Sequence, residues 1–145
     1  MSQSRKIGDP QMTINIFVCD DSKNIQAIFH SMAKMLPSKP KIFVASNGYE
    51  LTDLFNEALP DVIFLDIRMP RMNADEFLQL ISMVDTGGLA GRIVLLSGEP
   101  LNTIEEIAGR YNIKHWFEKP FTFDQFEKFL NNFLSDQSEG SPKIA

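Results

Sequence analysis

One cysteine, one tryptophan, two tyrosines and two histidines are all that the 145 residues hold of those types. With Cys19 alone, an intrachain disulfide is excluded, and a reducing compartment is the natural setting. Cys19 lies inside an apolar run, where a small buried hydrophobe is its ordinary role. His30 and His115 are too far apart in the pattern to build an imidazole-based centre. No apolar stretch reaches the roughly 20 residues that a membrane-spanning helix needs. The first 13 residues are polar and lack the apolar segment of a signal peptide, so the expected location is cytoplasmic. Positive charge is scarce too. Fourteen Lys and Arg against 19 Asp and Glu leave a net charge of −5, which argues against direct nucleic-acid binding, since phosphates call for clustered cations.

What is present fits one globular domain, with 43% hydrophobic and 23% charged residues. Residues 1–12 are expected to be a flexible segment and 135–145 a flexible tail or linker, leaving 13–134 as the domain. Within it, short apolar runs alternate with helical patterns. Strands are predicted over Ile14–Cys19, Lys41–Ala45, Asp61–Asp66, Ile93–Leu96 and His115–Phe117. Helices are predicted after the cap residues Ser22, Asn47, Asn73 and Thr122, the last three followed at the third position by Glu50, Glu76 and Gln125. The third helix is expected to stop at Gly87-Gly88. A helix around Ile104, Ile107 and Ala108 carries the shortest apolar stripe. Five strands alternating with five helices predict a parallel sheet covered on both faces.

In such a sheet, ligands bind beyond the carboxyl ends of the strands. Those ends carry the chemistry here. Asp66 terminates a buried apolar run, an expensive place for a carboxylate unless it is paired or reactive. Asp20-Asp21 follow the first run, Ser97 the fourth, and Lys119-Pro120 the fifth. Three acids brought together repel unless a cation joins them, and oxygen ligands suit magnesium. The plain alternative for Asp20 and Asp21 is helix capping, as it is for Ser97. Lys119 at a strand end can pair with Asp66 and then with a phosphoryl oxygen.

Four stretches in register resemble the receiver domain of two-component response regulators: Asp20-Asp21, Phe64 to Asn73, Leu95 to Glu99, and Glu118 to Phe121. The resemblance runs from about Thr13 to Leu134 and implies a flavodoxin-like (βα)5 fold with strand order 2-1-3-4-5. It implies Asp66 as phospho-acceptor, with Asp20, Asp21, Asp66 and the Arg68 backbone carbonyl as Mg2+ ligands. Ser97 and Lys119 would contact the phosphoryl group, Ser97 and Trp116 would form the switch, and Arg68 and Glu99 would modulate hydrolysis, pairing across the site mouth. Lys119-Pro120 is expected to be cis. The implied partners are a sensor histidine kinase or histidine phosphotransfer domain and a downstream protein target, with a phosphorylation-dependent dimer among the implied outputs. The implied role is a phosphorylation-controlled signalling module, not an enzyme beyond its own phosphorylation and dephosphorylation.

Three residues depart from the family pattern. Serine at 97 replaces threonine, tryptophan at 116 replaces tyrosine or phenylalanine and puts the inward switch rotation in question, and Ala74 stands where glycine is usual. Other readings stay open: the receiver portion of a longer regulator or hybrid kinase, a phosphorylation-independent pseudo-receiver, and, remotely, an aspartyl-phosphate hydrolase. The hydrolase reading wants an acid two residues after the nucleophile, where this chain has Arg68.

Overall fold

The computed structural model describes residues 13–84, 88–98 and 101–138. Its strands are β1 (Asn15–Cys19), β2 (Lys41–Ala45), β3 (Val62–Asp66), β4 (Ile93–Ser97) and β5 (His115–Glu118). They alternate with helices α1 (Lys23–Met35), α2 (Gly48–Leu54), α3 (Ala74–Val84), α4 (Leu101–Tyr111) and α5 (Phe123–Ser138). All strand pairs are parallel, in the order β2-β1-β3-β4-β5. Every residue of β3 and β4 is buried, which is why these strands read as unbroken apolar runs. Chain order reverses between β1 and β3, so the loops leaving them diverge and open a crevice at the carboxyl edge.

The pleat sorts side chains into two cores. Ile16, Val18, Phe64, Val94 and Leu96 face α1 and α5, where Phe29, Met32, Phe126, Leu130 and Phe133 cover them. Phe17, Cys19, Ile63, Leu65 and Leu95 face the opposite way, under Leu51 of α2, Phe77 and Leu78 of α3, and Ile104 and Ala108 of α4. The short stripe of α4 therefore suffices, because its apolar residues meet a fully buried strand.

The expected helix starts are present. Ser22 Oγ accepts from the Ile25 N–H at 3.2 Å. Asn73 and Glu76 form a reciprocal box, with both bonds at 2.9 Å, and Thr122 and Gln125 do the same at 2.8 and 3.1 Å. At α2 the box is shifted: Asn47 caps Glu50 N–H, but Glu50 Oε1 reaches back to the Ser46 N–H at 2.7 Å. A 3-10 turn at Leu89–Arg92, entered through Gly88 at φ 90°, was not anticipated; Gly87 lies outside the described residues. Helix α5 runs to Ser138, into the segment expected to be tail, because no glycine or proline interrupts it before Gly140. Residues 1–12 and 139–145 lie outside the described residues.

Candidate functional site

Four of the five strand ends, those of β1, β3, β4 and β5, bring groups to the crevice. Asp20 follows β1 and is fully buried, its N–H donating to Ala45 O at 3.0 Å. Its Oδ1 accepts from the Ser22 N–H at 2.9 Å, so it braces the entry to α1 while Ser22 does the capping. Asp21 is exposed beside it. Asp66 ends β3 and is buried, with Oδ1 3.4 Å from the Arg68 N–H. Ser97 ends β4, fully buried, and its carbonyl accepts from the Lys119 N–H at 2.8 Å. That bond anchors the Lys119 backbone at the edge of the crevice, and the Lys119-Pro120 peptide is cis. Lys119 Nζ then lies 2.7 Å from Asp20 Oδ2 and 3.5 Å from Asp66 Oδ1.

Oxygens of Asp20, Asp21 and Asp66 all lie within 4.8 Å of one another. At that spacing each ionised pair repels by about 3 kcal/mol at an effective dielectric of 20. One ammonium against three carboxylates leaves the cluster short of positive charge. Burial first, and the Asp20 carboxylate second, push the Asp66 carboxyl up to about 6, against the opposing pull of Lys119 and the Arg68 N–H. Burial draws the Lys119 ammonium downward, but its contact with Asp20 and the charges of Asp66 and Asp20 more than offset this, and the net direction is upward. Asp20 Oδ2 makes no hydrogen bond of good geometry; the Lys119 ion pair is its only close polar contact among the described residues. A buried, under-satisfied oxygen among three acids fits a hard divalent cation held by oxygen ligands.

Thus Asp20, Asp21, Asp66 and Lys119 come together as the spacing predicts, with Ser97 at the neighbouring strand end. Arg68 is exposed on the loop after β3; Glu99, its expected partner, lies outside the described residues. Trp116 sits in β5 opposite Leu95, half-buried against the core beneath α4. It also borders a cavity of about 270 Å³ shared with Phe117, Pro120 and Phe121. Gln26 was missed: its Nε2 donates to Asp20 O at 2.7 Å and to Ser46 Oγ at 3.2 Å, tying the Asp20 turn to the end of β2. The available signal was a polar residue three positions before Phe29, on the buried stripe of α1. Burial, followed by the charges of Asp20, Asp66, Glu50 and Asp21, pushes the Cys19 thiol far up, consistent with a packing role.

A family model, that of the response regulator receiver domain, matches residues 16–131, a span that contains every described residue of the cluster. Sporulation initiation phosphotransferase F of Bacillus subtilis is 26% identical over 125 residues, covering 85% of this chain and 95% of that protein. A protein-glutamate methylesterase/protein-glutamine glutaminase of Shewanella oneidensis is 36% identical over 67 residues, 46% of this chain but 19% of that protein. The chain thus spans about a fifth of the length of that methylesterase. Among solved structures, a receiver domain protein from Methanospirillum hungatei superposes with a TM-score of 0.76 at 13% identity, over 90% of this chain and 100% of the other. A chemotaxis protein of Vibrio cholerae superposes at 0.72 with 22% identity, over 84% and 99%. At these identities the structural likenesses speak for the fold alone.

Proposed function

The chain belongs to the response regulator receiver domain family, and from that premise we propose that Asp66 accepts a phosphoryl group from a phosphohistidine donor. The observation that carries this reading is the convergence of Asp20, Asp21 and Asp66 at the strand ends, with Lys119 against Asp20 and Asp66. An Asp66 carboxylate oxygen attacks phosphorus in line with the leaving imidazole. A P–O bond forms as the P–N bond breaks, and the imidazole departs with the electron pair and takes up a proton from solvent. Asp20, Asp21, Asp66 and the Arg68 carbonyl are the residues that would hold Mg2+, which when bound supplies positive charge to the acceptor and the phosphoryl oxygens.

The protein's own groups then divide the work. Lys119 keeps the acceptor charged and, already 3.5 Å from Asp66 Oδ1, is placed to follow a phosphoryl oxygen. Ser97 supplies a hydroxyl to another. Arg68 and Glu99 tune water access to the acyl phosphate, so Arg68→Ala is expected to change the rate of phosphate release. Ser97 and Trp116 transmit the modified state to the face around α4 and β5. On this reading the protein is a signalling acceptor. Its partners are a histidine kinase or phosphotransfer domain upstream and a protein target downstream.

Intact mass after incubation with Mg2+ and acetyl phosphate or phosphoramidate tests the proposal. One phosphoryl adduct on the wild type, absent from Asp66→Asn, is the expected result. No adduct under conditions that modify a control receiver would instead favour phosphorylation-independent binding.

A further inference from the structure

The loop that leaves Asp66 for α3 does not hold its own shape. Arg71 adopts the disfavoured left-handed conformation, at φ 63°, and no glycine relieves it. The next residue, Met72, is fixed from outside: its carbonyl accepts from the Gly48 N–H at 2.9 Å, at the first residue of α2. The two backbones meet with no room for a side chain. A Cβ on residue 48 would stand 2.6 Å from Met72 Cγ and 2.7 Å from both Met72 Sδ and Met72 Cβ. Rotating the methionine clears Cγ and Sδ but cannot clear Cβ, which is attached to the loop backbone. Gly48 does not appear among the positive-φ residues, so it is space, and not conformation, that demands glycine here. Beside it the Arg71 guanidinium lies 5.7 Å from the centre of the Tyr49 ring, a second tie between the same two segments. The other end of the loop is bound to the sheet through Ile67 N–H and Leu96 O at 3.0 Å. Between these anchors lies the Arg68 N–H, which approaches Asp66 Oδ1.

We propose that Gly48 and Tyr49 are positioning residues: the N-terminus of α2 is the seat that holds the acceptor loop in register with Asp66. The inference rests on the reading of Asp66 as acceptor and adds the element that shapes the loop around it. Groups that orient a metal's ligands from behind typically cost roughly 10- to 100-fold in metal affinity or activity when lost. A substitution on α2, behind the acceptor loop, should therefore be read out at the site.

The test uses the full chain with Gly48→Ala, the compensating pair Gly48→Ala/Met72→Gly, and Tyr49→Phe beside Tyr49→Ala. Two measurements are made: the Mg2+ concentration giving half-maximal adduct formation with acetyl phosphate, and amide hydrogen exchange in EDTA. Gly48→Ala should raise that concentration by roughly 10-fold or more. It should also speed exchange at residues 48 and 67 while leaving Phe64 and Leu65 protected. Met72→Gly should restore part of both, and Tyr49→Phe should outperform Tyr49→Ala. Unchanged magnesium dependence and unchanged local exchange would overturn the inference, as would a uniform loss of protection across β3, which marks a purely structural glycine. If the wild type forms no adduct, it is the acceptor reading that fails; the exchange comparison in EDTA still decides whether α2 seats the loop.

Discussion

Replacing Asp66 with asparagine should stabilise the metal-free protein at neutral and alkaline pH. The Asp66 carboxyl is buried beside Asp20, and its pKa rises from 3.8 to about 6 on folding. A group raised in this way binds more protons folded than unfolded between those two values, so stability falls as pH climbs from about 4 to about 6 and then levels off. At 1.36 kcal/mol per tenfold, the difference between 3.8 and about 6 amounts to about 3 kcal/mol. Asparagine mimics the protonated carboxyl in shape and charge, so it escapes that loss while Lys119 keeps its 2.7 Å contact with Asp20. In EDTA near pH 8, the variant should melt roughly 6–12 °C above the wild type. Near pH 4 the two should nearly coincide. Excess Mg2+ at pH 8 should raise the wild type more than the variant, by mass action on the folded state. The assay is thermal unfolding followed by circular dichroism across this pH range. A variant equal to or less stable than wild type at pH 8, or a gap that does not change with pH, would mean that Lys119 outweighs burial and the repulsion of Asp20, refuting the electrostatic account.

Three further outcomes are expected. Lys119→Met leaves Asp20 fully buried and without its ion-pair partner, which should cost about 3–5 kcal/mol in metal-free urea unfolding. Phe29→Ala removes a ring lying 4.9 Å from Phe64 and 5.7 Å from Phe126, for a loss of about 3–5 kcal/mol; the urea midpoint should fall with the slope unchanged. Tyr111→Phe deletes the hydroxyl that donates to Asp75 Oδ1 at 2.7 Å, the leading reason that this carboxyl sits low. The Asp75 carboxyl should titrate higher by NMR, toward the ordinary carboxylate range, with little change in unfolding midpoint, because this α3–α4 contact is only partly buried and water can take the place of the lost hydroxyl.

Local chemistry determined much of this protein from its sequence. Unbroken apolar runs announced β3 and β4 because both faces of those strands are covered, and side-chain caps at Ser22, Asn73 and Thr122 placed the helix starts because each satisfies backbone groups within its own turn. Acids, hydroxyl and amine at the strand ends marked the crevice, since parallel connections bring all those ends to one edge. Relations between distant segments were settled only by the tertiary structure. The dominance of Asp20 over Asp66 in holding Lys119, at 2.7 against 3.5 Å, depends on how the ends of β1, β3 and β5 are placed against one another. Gln26 tying the Asp20 turn to Ser46, and Gly48 pressed against Met72, join segments far apart in the chain, with a separation of 20 between Gln26 and Ser46. Residue periodicity reports which way a side chain faces within its own element. It carries no information on how closely a second backbone approaches, and that distance is what shapes the loop around Asp66.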